Sequence, residues 1–188
     1  MRRSLVPVLL ASLTIGACSG ESDAVPMTTT VAPAPSIPPS SPAPTTDATS
    51  DTVTPEGFER VRATVTEPDG TVCELCLWLA DTGDRRRRGL MSVTGLGDAD
   101  GMAFVYPTLH SGNFWMKNTL LPLSIAFFGI GGTYLDAFDM DPCTEDPCGL
   151  YRTPDDFLIA IETTQGDLAD LGIGPGSVLD LTEISCDR

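Results

Sequence analysis

The sequence predicts an all-β domain carrying one or two short helices, folded as a single sandwich or barrel. Three observations carry this expectation: short segments in which apolar and polar residues alternate, turn residues that separate those segments, and a scarcity of helix-start signals.

Residues 60–66 put Val61, Ala63 and Val65 on one side and Arg60, Arg62, Thr64 and Thr66 on the other, the period of two of a half-buried strand. Pro68-Asp69-Gly70 follows. Proline presets φ and glycine accepts positive φ, so the chain is expected to turn back into a second strand over 72–80. Thr82 then reads as a helix N-cap, with Asp84 in the first turn and the run Arg85-Arg86-Arg87-Arg88 behind it, the charge order a helix dipole favours. A short helix is expected over 83–91 and a loop over 92–100. Four further strands are expected over 102–106, 113–118, 123–128 and 133–138, the last two joined by Gly129-Ile130-Gly131-Gly132. Residues 140–156 read as a loop, 157–163 as a strand and 165–171 as one or two helical turns ending at Gly172. Gly174-Pro175-Gly176 turns the chain into a last strand over 177–184.

The N-terminal region has a different character. Residues 1–17 read as a lipoprotein signal peptide, with Arg2 and Arg3 ahead of an apolar run over 5–15 that is shorter than the ~20 residues a bilayer span requires. Ile15-Gly16-Ala17-Cys18 resembles the bacterial lipobox, in which the cysteine sulfur takes a diacylglycerol. The alternative is an ordinary secretory signal cut nearby, with Cys18 incidental. Either places the protein outside the cytoplasm, where disulfides persist. Residues 18–54 are then the lipidated Cys18 and a disordered tether. Of the 31 residues in 24–54, 24 are Pro, Thr, Ser or Ala and none is aromatic, so the segment cannot bury enough apolar surface to offset its ordering entropy. It reaches at most ~90 Å. Residues 55–188 form the β-rich domain. They hold 22 of the 26 acidic residues against nine basic ones, a balance opposed to nucleic-acid binding.

Lys117 is the only lysine in the chain and lies in Phe114-Trp115-Met116-Lys117-Asn118-Thr119. Lysine is a compact charge whose pKa moves easily, whereas arginine is a planar fork that stays charged. Strand alternation sets Phe114, Met116 and Asn118 on one face and Trp115, Lys117 and Thr119 on the other. An indole and an ammonium side by side could hold a sugar ring and its hydroxyl or carboxylate. Alternatively, Trp115 packs and Lys117 pairs with a buried carboxylate such as Glu162. Arg86, if it points inward, must also be paired. Glu162, within Leu158-Ile159-Ala160-Ile161-Glu162, is the obvious partner. That pair would be a structural brace or the floor of an anion or sugar site. The candidate ligand-binding residues are thus Trp115, Lys117, Asn118, Arg86 and Glu162.

The cysteines limit the chemistry. With Cys18 given to lipid, Cys143 and Cys148 are expected to close a small disulfide loop and Cys186 to join Cys73 or Cys76, leaving one free thiol. No metal site is expected: one Cys-x-x-Cys and a single histidine, His110, fall short of four zinc ligands. A redox pair sits at a helix start, whereas strand alternation sends Cys73 and Cys76 to opposite faces. Ser-His-Asp chemistry would depend on His110, which has no flanking signature, and no spacing singles out a carboxylate pair. No cofactor is expected.

Arg86-Arg87-Arg88-Gly89-Leu90-Met91, Gly101-Met102-Ala103-Phe104, the lysine motif with Pro122-Leu123, Glu162 followed by Gly166, and Gly174-Pro175-Gly176 together resemble one bacterial and archaeal family, domain of unknown function 192. The resemblance covers about residues 59–185. It implies a compact β-rich domain of jelly-roll-like character, often exported, and it implies no reaction. The family reads Pro-Leu-Asp-Ile where this chain has Pro122-Leu123-Ser124-Ile125, so a role for that aspartate would be missing here. Both cysteine pairs look like local additions. The leading reading is a lipid-anchored extracytoplasmic β-domain that binds a small polar ligand or envelope glycan. The alternatives are an envelope enzyme using Lys117 as its acid/base group and a purely structural or partner-binding lipoprotein.

Overall fold

The computed structural model describes residues 52–182, 185 and 186; the expected signal peptide, Cys18 and most of the expected tether lie outside the described residues. In chain order the elements are β1 (Glu59–Thr66), β2 (Val72–Ala80), α1 (Gly83–Arg88), β3 (Gly101–His110), β4 (Asn113–Trp115), β5 (Leu123–Phe128), a 3-10 turn (Ile130–Gly132), β6 (Tyr134–Met140), β7 (Leu150–Arg152), β8 (Phe157–Thr164) and β9 (Val178–Leu181). The domain is β-rich and sandwich-like. Seven strands form one mixed sheet in the order β6-β5-β8-β3-β2-β1-β9, and β4 pairs with β7 in a separate two-stranded ribbon. Among the strands described, only β2 and β3 pair in parallel, because α1 and its following loop carry the chain back before β3 begins.

The period of two sorts the side chains into two cores. Val61, Ala63, Val65, Leu75, Leu77, Ala103, Phe128, Ile161 and Leu179 pack on one face of the sheet. Met102, Phe104, Leu123, Ile125, Phe127, Phe157 and Ala160 pack on the other, with Leu90 and Met116 from outside the sheet. β5 is buried along its whole length because it feeds both cores alternately. The sheet also curls. Its edge strands approach at one end, where Thr133 bridges Val178 and Tyr134 N–H donates to the Ser177 carbonyl at 3.2 Å.

The first hairpin forms as expected. Its turn is fixed by Gly70 at φ 90° and by Thr71 N–H donating to Asp69 Oδ1 at 2.8 Å. The backbone and side-chain hydrogen bonds from Thr71 hold the exposed Asp69 carboxyl below its ordinary pKa.

Several expected boundaries move. α1 stops at Arg88 rather than 91, since Gly89 takes φ 46° and a Cβ there would meet the Phe104 ring at 3.2 Å. β3 runs on to His110 through a register shift around Pro107, which has no N–H to give the ladder. The strand expected over 113–118 ends at Trp115, and Asn118 turns the chain at φ 56°. The loop expected over 140–156 contains β7, too short to announce itself by alternation. Residues 165–172 form hydrogen-bonded turns rather than helix. Val53, placed in the tether by composition, exchanges hydrogen bonds with Thr94: its N–H donates to the hydroxyl at 2.8 Å and its carbonyl accepts the Thr94 N–H at 2.9 Å.

Cys143–Cys148 bond as expected, with Cα atoms 5.8 Å apart, and Cys186 bonds Cys76 across 5.7 Å. Alternation on β2 decides between the candidates. Cys73 faces the first core with Leu75 and Leu77, while Cys76 faces the opposite side, where the chain passes after β9. The expected free thiol is corrected: no cysteine among the described residues is free, Cys73 included.

Candidate functional site

α1 is a single capped turn and a half whose four arginines take different partners. Thr82 Oγ1 accepts the Arg85 N–H at 3.2 Å, which fixes where the helix begins. Arg85 pairs with Asp81 at 2.9 Å, Arg87 pairs with Asp84, and Arg88 donates to the Glu56 carbonyl at 2.8 Å. Arg86 alone turns inward. Its Nη1 donates to the carbonyls of Asp81 and Val105, both at 2.6 Å, and its guanidinium lies 4.7 Å from the centre of the Tyr106 ring. Carbonyls and a π-face, rather than the expected Glu162 carboxylate, satisfy this charge.

Between α1, the irregular end of β3 and β4 lies an open cleft of about 480 Å³. Arg86 and Arg87 form one wall, and Tyr106, His110, Phe114 and Trp115 supply aromatic surface. Tyr106 and His110 stack at 4.2 Å, an arrangement permitted by the register shift around Pro107. β4 behaves as alternation requires. Phe114 points in, edge-on to Phe104 at 5.3 Å and Phe127 at 5.7 Å, while Trp115 is 48% exposed beside the cleft.

A second, much smaller cavity of about 40 Å³ shares Arg86, Arg87, Phe114 and Trp115 with the cleft and is lined further by Phe104, Thr119 and Glu162. Glu162 is only 5% exposed. It sits on β8 beside Met102 of β3 and Ile125 of β5. No hydrogen bond or ion pair engages its carboxyl among the described residues, and burial pushes its pKa up to about 8. Its two expected partners are committed elsewhere: Arg86 as above, and Lys117 to Asp146, with Nζ 2.8 Å from Oδ2.

Asp146 belongs to the Cys143–Cys148 loop, which docks on the lysine motif through Asn118 N–H to the Cys143 carbonyl at 2.8 Å. The same loop thus supplies the counter-charge for Lys117, whose ammonium lies 5.6 Å from the Trp115 ring centre. Of the five expected residues, Arg86, Trp115 and Glu162 line the small cavity together. Lys117 flanks it through Trp115. Asn118 acts through its backbone, accepting the Ser92 N–H at 2.8 Å, and its side chain is exposed. Tyr106, Phe114, Thr119 and His110 are not among the expected binding residues; the proline inside β3 is the sequence signal for the Tyr106–His110 wall.

Ser124 does not reach this region. It is buried, donates to Asp139 Oδ1 at 2.5 Å and accepts the Gly166 N–H at 2.9 Å. In register Ile125 lies opposite Glu162 and Ser124 opposite Thr163, so a longer acid at this position would also face away from the cavity.

Comparison with known proteins fits this picture. Residues 64–181 match the profile of domain of unknown function 192, described as an uncharacterized ACR. The chain belongs to this family. Among solved structures, it is similar to a protein of unknown function from Novosphingobium aromaticivorans, at 31% identity and a TM-score of 0.59, over 68% of this chain and 90% of the other. It is also similar to a candidate transcription regulator from Sinorhizobium meliloti, at 26% identity and a TM-score of 0.60, over 66% of this chain and 95% of the other. No curated protein matches. The family match includes Arg86, Trp115, Lys117 and Glu162, so the cleft belongs to the family domain rather than to an appended segment.

Proposed function

We propose that this family member is a lipid-anchored, extracytoplasmic domain that binds a small polar ligand bearing an anionic group, with an acidic envelope glycan as the ligand class. The observation that carries the reading is the cleft itself: an exposed indole, a stacked Tyr106–His110 pair and the Arg86 and Arg87 guanidiniums around one open space. Flat aromatic faces suit the apolar face of a sugar ring, and guanidinium forks suit a carboxylate. Lys117 is not the acid/base group of this reading, because it is held by Asp146 outside the cavity linings. Regulation of transcription, suggested for the Sinorhizobium protein, is not carried over: a strongly acidic domain repels the phosphate backbone.

Trp115→Ala is expected to weaken binding of glucuronic acid, N-acetylmuramic acid or peptidoglycan fragments about tenfold or more, the usual loss for an aromatic anchor. Its melting temperature should stay near wild type, because the side chain is half exposed. Calorimetric titration reads both proteins; in the wild type, Trp115 emission gives a second signal, since Trp78 is the only other tryptophan and its Nε1 is bonded to the Leu96 carbonyl at 2.9 Å. Equal affinity for every probe in wild type and variant would remove the cleft from the binding site.

The anchor has its own test. Cys18→Ser is expected to release the domain into the medium or leave the precursor uncut, as acyl chains add ~0.8 kcal/mol of membrane affinity per buried methylene. Retention in the membrane fraction of a variant whose signal peptide has been cut would overturn the anchor. So would mass mapping that finds Cys18 disulfide-bonded to Cys73, since one sulfur cannot carry both linkages.

A further inference from the structure

A carboxyl buried without a partner is costly, and a chain under no other demand replaces it with an apolar side chain. Here Glu162 is 5% exposed on a strand whose preceding residues are apolar, and the nearby cations Arg86, Arg87, Arg88 and Lys117 are all engaged elsewhere. It lines the 40 Å³ cavity together with Thr119, which is 4% exposed and whose hydroxyl likewise has no hydrogen bond among the described residues. Two unpartnered polar side chains therefore meet the same small space. The space accepts one or a few water-sized groups.

We infer that this cavity is an inner subsite of the cleft, in which the Glu162 carboxyl and the Thr119 hydroxyl hold a neutral hydrogen-bonding end of the ligand, such as a hydroxyl, hydroxymethyl or amide carbonyl, while its anionic end stays with the arginines outside. The inference rests on the cleft reading above and specifies the ligand: an acidic sugar that also carries a neutral polar arm, of the N-acylated sugar-acid class. At neutral pH the elevated pKa keeps Glu162 protonated and able to donate. The charged and titratable groups around it are Arg86, Arg87 and Arg88 from α1 and Tyr106 from β3, with His110 of β3 in the outer cleft. β4 contributes only Phe114 and Trp115, and β5 faces Glu162 with Ile125.

The test is a titration with N-acetylmuramic acid at pH 7.5 and 9.5 for wild type, Glu162→Gln, Glu162→Leu, Thr119→Val and Trp115→Ala. Wild-type affinity is expected to fall about fivefold or more between the two pH values as the donor is lost. Glu162→Gln keeps a neutral donor, so it should bind within about threefold of wild type at pH 7.5 and show no such fall. Glu162→Leu, which removes a buried polar group and should fold well, is expected to lose about tenfold, and Thr119→Val about threefold. If wild type binds and Trp115→Ala does not, yet the three inner variants match wild type at both pH values, the inner subsite is overturned and the cleft reading survives. If wild type does not bind the probe, or Trp115→Ala binds it equally, the cleft reading fails and the subsite falls with it.

Discussion

Gly132→Ala is expected to lower the melting temperature by about 10–20 °C, while Gly131→Ala beside it should cost only a few degrees. Both glycines have positive φ, 68° at Gly131 and 72° at Gly132, so both substitutions carry the ~1–2 kcal/mol penalty of a left-handed L-residue. Their surroundings differ. A Cβ on Gly131 meets nothing within 4 Å, whereas one on Gly132 would lie 1.7 Å from the Leu179 carbonyl oxygen and 2.8 Å from its carbon. Backbone cannot swing aside like a side chain, so the 3-10 turn and β9 must separate. That separation breaks the Thr133–Val178 bridge and the Tyr134–Ser177 hydrogen bond, the contacts that bring the two sheet edges together. With lost packing around Leu179, the total reaches roughly 3–5 kcal/mol, a large part of the 5–15 kcal/mol of a typical domain. Equal melting temperatures for the two variants would mean that the sheet does not close here.

What the sequence disclosed follows from which interactions are local. The first hairpin, the Thr82 cap and the two faces of β4 are set by residues within a few positions of one another, and the structure keeps all three. The parallel pairing of β2 with β3 and the approach of β6 to β9 depend on residues far apart in the chain, and no local pattern reports them. β7 escaped notice because three residues cannot display a period of two, yet it pairs with β4 and holds Phe114 and Trp115 in place.

The residues of the candidate cleft stood out in the sequence by type but not by partner. A lone lysine, an inward arginine and a glutamate in an apolar strand are all visible as anomalies, and Arg86 and Glu162 do line one cavity. Pairing them with each other was the natural expectation for buried charge. Arg86 instead uses two backbone carbonyls, those of Asp81 just before α1 and of Val105 on β3 next to the irregularity around Pro107. Lys117 uses Asp146, brought near by a disulfide loop that had been read as a separate addition. Both outcomes leave Glu162 alone, and that isolation is the most informative property of the site.

It also makes Glu162 a measurable drain on stability at high pH. In the unfolded chain the carboxyl ionises near its ordinary value of 4.5, while in the folded domain burial raises that value to about 8. Between these values the folded state holds a proton that the unfolded state releases, so this group's contribution falls as pH rises through the window. The stabilising contribution is fully present below pH 4.5 and is lost by the time the folded-state carboxyl ionises near pH 8. The whole loss is roughly 3–5 kcal/mol, at ~1.4 kcal/mol per pKa unit. Glu162→Gln has the same shape and no proton to release. Its stability should match wild type at pH 5, within the small cost of fitting an amide, and exceed it by several kcal/mol at pH 8.5. The other carboxylates titrate alike in both proteins, so the difference between the two melting-temperature profiles from pH 5 to 9 isolates this group. Parallel profiles would show that the carboxyl is hydrated or paired in solution, and the unpartnered acid at the base of the cleft would have to be given up. A gap that opens steadily with pH would establish it in the absence of any ligand, because the unliganded domain alone sets the folded-state pKa.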